Sequence, residues 1–113
     1  MQGIVTIPNR AGVDRVDYHP DYSIICSEGN APFYGIIDIA YRPDDKLLEF
    51  HSFDAWLGGY ALKRMTIEDL CRLVFNELNR ALGDIPLRVI VHARTTVHAP
   101  ASALISQGDL DNG

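Results

Sequence analysis

Motif cysteines, long apolar runs and a basic surplus are all missing from this 113-residue chain. Its two cysteines, Cys26 and Cys71, lie far apart, and no CxxC, HExxH or paired Cys/His spacing occurs. A closed zinc site is therefore not expected, and the scattered His19, His51, His92 and His98 read as surface or strand residues. No apolar run approaches the roughly 20 residues that span a bilayer. The start, MQGIVTIPNR, lacks the charged head and apolar core of a signal peptide, so a cytoplasmic location is expected. The formal net charge of −5 argues against broad electrostatic binding of nucleic acid, though not against a small basic pocket. Repeats and low-complexity segments are absent, apart from a polar tail, SQGDLDNG, expected to fray over about residues 107–113.

What is present suits a single domain spanning residues 1–113. Hydrophobic residues make up 47% of the chain, enough for a core that needs no disulfide or structural metal. GVDRVDY (12–18) alternates weakly and stops at His19-Pro20, which predicts a strand. FYGIIDIAYRP (33–43) gives a stronger one, with Tyr34, Ile36, Asp38 and Ala40 on one face and Gly35, Ile37, Ile39 and Tyr41 on the other. KLLEF (46–50) reads as an extended piece entering a helix.

Phe53, Trp56, Leu57 and Tyr60 recur at helical spacing within Ser52–Leu62, weakened at Gly58-Gly59 by about 1 kcal/mol each. The next helix has Thr66 as N-cap, Asp69 at the capping-box position and Glu68 near the positive end. Its apolar face runs through Leu70, Leu73, Val74, Leu78 and Leu82, with Phe75 flanking, and Gly83 ends it. PLRVIVHARTTVHAP (86–100) reads as one long strand, or as two strands around a turn near Arg94-Thr95-Thr96. The order predicts an α+β domain: a four-stranded antiparallel sheet with two helices between strands 2 and 3, covering one face. Ile/Val-rich edges such as VIVHA predict a homo-oligomer formed through sheet edges.

Cys26 stands out by its place. Ile24 and Ile25 lead into it, and the polar turn SEGNAP follows, so it stands at a strand end, where a thiol can be held at a pocket rim. The alternative is an inert, packed cysteine. Glu68, in the first turn of a helix, is either a helix-dipole carboxylate or the anchor of a flat heterocycle. A carboxylate can accept two parallel hydrogen bonds from adjacent ring N–H and amino groups.

The stretch PDYSIICSEGNAPFYGIIDIAYRPDDKLLEFHS resembles the catalytic region of the NADPH-dependent 7-cyano-7-deazaguanine reductases, the nitrile reductases of queuosine biosynthesis, a tRNA-modification pathway. Pro20, Asp21, Tyr22, Ser23, Ile25 and Cys26 fit the family pattern, as do Pro32, Tyr41, Pro43, Asp44, Lys46, Leu48, Glu49 and Ser52. The register continues without a gap to Glu68, so the likeness covers about residues 16–83. It implies the tunnelling fold, a thioimide-forming Cys26, and a deazaguanine held by Glu68 and Glu49, with Leu48, Phe50, Ile67 and Phe33 lining the substrate. Ser52, and more weakly His51, would lie on the cofactor side. Lys63 and Arg64 are the nearest cations that could replace lost phosphate contacts.

The departures are as specific. Phe33 stands where the family has an acid, and Ile67 where it has a histidine. The cofactor motif Glu-x-Lys-Ser-x-Lys is here Glu49-Phe50-His51-Ser52-Phe53-Asp54, without either lysine. The resemblance thus implies an oxidoreductase of nitriles with NADPH as its cofactor, or alternatively a non-reducing relative. That relative would be an amidinotransferase-like enzyme or a purine- or pterin-binding module in which Phe33 stacks on the ligand.

Overall fold

The computed structural model describes residues 3–111. The strands and helices are β1 (Thr6–Pro8), β2 (Val16–Tyr18), β3 (Asp21–Ile25), β4 (Pro32–Tyr41), β5 (Lys46–Leu48), α1 (Phe50–Gly58), α2 (Ile67–Leu82), β6 (Leu87–Ala93) and β7 (Ala101–Gln107). The fold is α+β, with both helices between β5 and β6.

The main sheet is antiparallel and built on β4, the longest strand. β2 pairs with its Ile39–Tyr41 end and β3 with its Pro32–Ile36 end. β2 and β3 therefore occupy one position in the sheet, broken at His19-Pro20, where proline has no N–H to give the ladder. Five strands thus fill the four positions expected, in the order β2/β3, β4, β6, β7. A second sheet of β1 and β5 was not anticipated.

The alternation expected for β4 shows in burial up to Ile39: Ile37, Ile39 and Tyr41 are buried, while Tyr34 and Ile36 are exposed on the helix-free face, and Ala40 is buried as well. Leu87, Val89, Val91 and Ala93 of β6 share the buried face. α2 packs against β6 and β7 through Leu70, Cys71, Val74, Leu78 and Leu82, all buried. Its start is the predicted one. The Asp69 backbone N–H donates to Thr66 Oγ1 at 3.0 Å, and Gly83, with φ of 86°, ends the helix. Thr66→Ala should lower unfolding free energy by about 1 kcal/mol in urea titration, with m unchanged. A loss near zero would show that solvent caps α2 equally well.

Four expectations need correction. The strand expected over 12–18 is reduced to Val16–Tyr18, because Gly12 (φ 67°) and the Asn9 side chain, bonded to the N–H and C=O of Val13, fold the preceding residues into a loop. α1 begins at Phe50, two residues before the expected start, and ends at Gly58 with Gly59 as its cap. VIVHA is not an edge but the interior of the sheet, since β6 pairs with both β4 and β7. Finally, Ser106 and Gln107 belong to β7 and Leu110 is buried, so the chain stays packed past the expected start of the tail. The last two tail residues lie outside the described set.

Candidate functional site

Cys26 follows β3 directly, and its backbone is held on two sides. Its N–H donates to Ala31 O and its carbonyl accepts from Asn30 N–H, both at 2.8 Å, closing the 26–31 loop. Asn30 sits at φ 56°, a left-handed conformation asparagine tolerates better than most residues. Ile25, one residue earlier, is clamped from the far side: its N–H donates to Lys63 O at 2.9 Å and its carbonyl accepts from Met65 N–H at 3.0 Å. This short parallel pairing brings the α1–α2 connector alongside β3. It carries Thr66, Ile67 and Glu68 to the Cys26 end of the sheet, and the Arg64 guanidinium hydrogen-bonds the Asn30 side chain across the loop.

The thiol is half-buried against the core. Glu68 is exposed, and its carboxylate makes no hydrogen bond among the described residues, so it is free to receive a ligand's donors. Ile67 and Phe33 are buried, and the Phe33 ring packs edge-on against His98 with centroids 5.3 Å apart. Phe33 belongs to the core in this chain, and its ring faces are not free to stack on a planar ligand. Cys71 is the packing cysteine expected. It is fully buried, its Sγ lies 3.5 Å from the carbonyls of Val89 and Ala103, and burial pushes its thiol pKa up.

The remaining candidates form a second group at the other end of β4. Leu48 is buried, with its N–H donating to the Tyr41 hydroxyl at 2.9 Å. Glu49 is the N-cap of α1, accepting from the backbone N–H groups of His51 (2.8 Å) and Ser52 (2.9 Å). Those bonds, the His51 one foremost, hold its carboxyl below the usual range. The Ser52 hydroxyl donates to Glu49 O at 2.8 Å and accepts from Val5 N–H at 2.9 Å. His51 is fully exposed, with its ring Nδ1 3.2 Å from the Glu49 carboxylate. Phe50 stacks on Tyr18 with centroids 4.2 Å apart, and the Tyr18 hydroxyl donates to Asp54 at 2.7 Å. Burial and that bond push Tyr18 up to about 12.

Within one chain the two groups do not converge. Ten residues of β4 at about 3.4 Å each separate its ends by about 30 Å. Cys26, Ile67 and Glu68 share one end; Leu48, Glu49, Phe50, His51 and Ser52 share the other.

The sequence reading missed a third cluster, on the helix-free face. Asp38 accepts from His19 Nδ1 and from His92 Nε2, each at 2.6 Å. Burial pushes its carboxyl up, but the two imidazole hydrogen bonds outweigh burial and leave it below its ordinary value. One signal was available: an aspartate in the middle of an Ile-rich strand needs a partner.

The chain matches no protein-family model, and it matches no curated protein with statistical significance. Among the described residues no helix is long and apolar enough to cross a membrane.

Proposed function

We propose that the chain is a divergent tunnelling-fold relative of the 7-cyano-7-deazaguanine reductases. It acts on a nitrile-bearing deazaguanine or a related purine- or pterin-like heterocycle, with Cys26 as nucleophile and Glu68 as anchor. One observation supports this reading: the pairing of Ile25 with the 63–65 connector, which brings the strand end before Cys26 alongside the segment that leads into α2 and Glu68. The chemistry needs no further reactant. The Cys26 sulfur adds to the nitrile carbon, a C–S bond forms, one C–N π bond breaks, and the thiol proton passes to nitrogen, giving a thioimide.

The residues present do not fit NADPH. Asp54 stands at a motif lysine position and is held there by Tyr18, the Ser52 hydroxyl is spent on backbone groups, and the other motif lysine position holds His51, whose exposed ring lies against Glu49. Lys63 and Arg64 lie at the Cys26 end, with Arg64 engaged by Asn30. These observations favour the non-reducing alternative, an amidinotransferase-like enzyme or a binding module, over a reductase. Copies of the chain would pair through sheet edges, of which β7 is uncovered among the described residues and carries the exposed Leu104. Such pairing can bring one copy's Cys26 end near another's Glu49 end.

Intact-protein mass spectrometry after incubation with 7-cyano-7-deazaguanine tests the proposal. The expected result is a gain equal to the whole ligand mass, unchanged on adding NADPH. Absence of both adduct and binding sinks the deazaguanine reading. Glu68→Gln turns one acceptor into a donor facing the ligand's donors, and should weaken reversible binding about tenfold by titration calorimetry. Equal affinity would leave Glu68 as a helix-dipole residue only.

A further inference from the structure

Away from the Cys26 loop, a cavity of about 560 Å³ opens between β3 and α1. Ile24, Leu57 and Leu70, all buried, form its floor, and Asp21 and Asp54 stand on its rim. Its volume lies in the range of sites that enclose small ligands or a few side chains.

The β3 edge along this cavity has main-chain groups to offer. Pro20 O accepts from Ile37 N–H, so residue 20 points its carbonyl toward β4. By the two-residue alternation of a strand, residues 21, 23 and 25 point theirs outward. Ser23 O and both groups of Ile25 do so, and the connector takes them, with Leu62 N–H donating to Ser23 O at 3.0 Å. The N–H and C=O of Asp21 and the N–H of Ser23 have no hydrogen-bond partner among the described residues. Three groups in line, over an apolar cavity flanked by a helix, are what an added strand requires.

Charge selects the occupant. Among the described residues no lysine or arginine lines the cavity. Among the described residues Asp21 is exposed and makes no ion pair, and Asp54 accepts only the Tyr18 hydroxyl. The β7 edge of a second copy, Ala101–Gln107, carries no cation to meet these carboxylates. We infer that this groove docks a short, extended, basic–apolar peptide segment of a partner protein. The segment adds to the β3 edge, sinks an apolar side chain between Leu57 and Leu70, and sets lysine or arginine on Asp21 and Asp54. It enters from the Asp21 side and stops at Leu62, whose bond to Ser23 closes the groove. The inference does not rest on the nitrile chemistry.

Fluorescence polarisation at physiological salt tests it with a labelled Gly-Lys-Val-Leu-Val-Lys amide, its glutamate counterpart, and two versions N-methylated at alternate residues. An added strand bonds through one set of alternate amides, so one methylated version should lose affinity at least about tenfold while the other binds nearly as well. The glutamate peptide should bind at least about tenfold more weakly. Asp21→Lys should weaken the lysine peptide, and Gly58→Leu, on the groove wall with open space around its new side chain, should block it. Absence of binding, or two methylated versions that bind alike, overturns the inference. So does a change in sedimentation of the Asp21 and Gly58 variants without peptide binding, which would make the groove a joint between copies.

Discussion

Cys26→Ala is expected to abolish the mass gain with 7-cyano-7-deazaguanine, while reversible binding stays within about twofold by calorimetry. Under the proposed function the thiol supplies the new bond, whereas recognition of the heterocycle rests on Glu68. Cys71→Ala serves as the control. That thiol is fully buried among α2, β6 and β7, and its raised pKa keeps it a protonated, unreactive packing group. Its removal should cost stability and leave the adduct intact. An adduct that survives Cys26→Ala and disappears in Cys71→Ala would move the chemistry to Cys71 and overturn the assignment to Cys26. Loss of adduct and of binding together in Cys26→Ala, with the melting curve unchanged, would instead make Cys26 part of the recognition surface.

Gly35→Ala is expected to be the most destabilising single-methyl change in the sheet. A Cβ at Gly35 would lie inside van der Waals contact of the His92 carbonyl oxygen, a backbone atom that cannot swing away as a side chain could. That carbonyl already accepts the Tyr22 hydroxyl at 2.7 Å, and burial pushes the hydroxyl up to about 12. The regular β4–β6 ladder reaches Ile37 and Val91, and the next paired residues are Tyr34 and Arg94. Gly35 lies in the gap, where close backbone approach stands in for side-chain packing. Overpacking of this kind costs roughly 3 kcal/mol or more when backbone must move, a large share of the roughly 5–15 kcal/mol that holds a domain folded. A drop of about 10–20 °C in thermal midpoint is the expected reading. A midpoint within about 3 °C of the parent would show that β6 yields freely at His92, and the account of Gly35 would fail.

How legible the fold was depended on the range over which each signal acts. The start and end of α2 could be read locally, since Thr66, Asp69 and Gly83 act within one turn of the residues they cap. The β4 faces could be read from alternation alone. β7 could not, because ASALISQ is an edge strand of small and polar residues, with little periodic contrast to separate it from a tail. The 63–65 connector was equally hidden. Its pairing with Ile25 uses backbone groups, which every residue has.

The candidate site shows the same division. Cys26 could be picked out from its position after a β-rich run, and Glu68 from its place in the helix start. That these two share an end, while Glu49 and Ser52 group toward the other end of β4, follows from the length of β4 and the path of α1. The roles of Glu49 and Ser52 escaped for another reason. Glutamate is not a favoured N-cap, yet here its carboxylate reaches the two amides that open α1, with Ser52 tying that helix to Val5. The His19–Asp38–His92 contacts needed three strands in register, which no single segment encodes.

The bond between Ile25 and the connector also orders events in time. Lys63 and Met65 reach β3 only after the chain has passed through β4, β5 and α1, so the clamp beside Cys26 is a non-local contact that closes only once those elements are in place. Until it closes, Cys26 is an ordinary thiol on a loose loop. Its accessibility to a small alkylating reagent therefore reports whether the clamp has closed, and a chain with most of its secondary structure formed but the clamp open would leave the thiol chemically undirected.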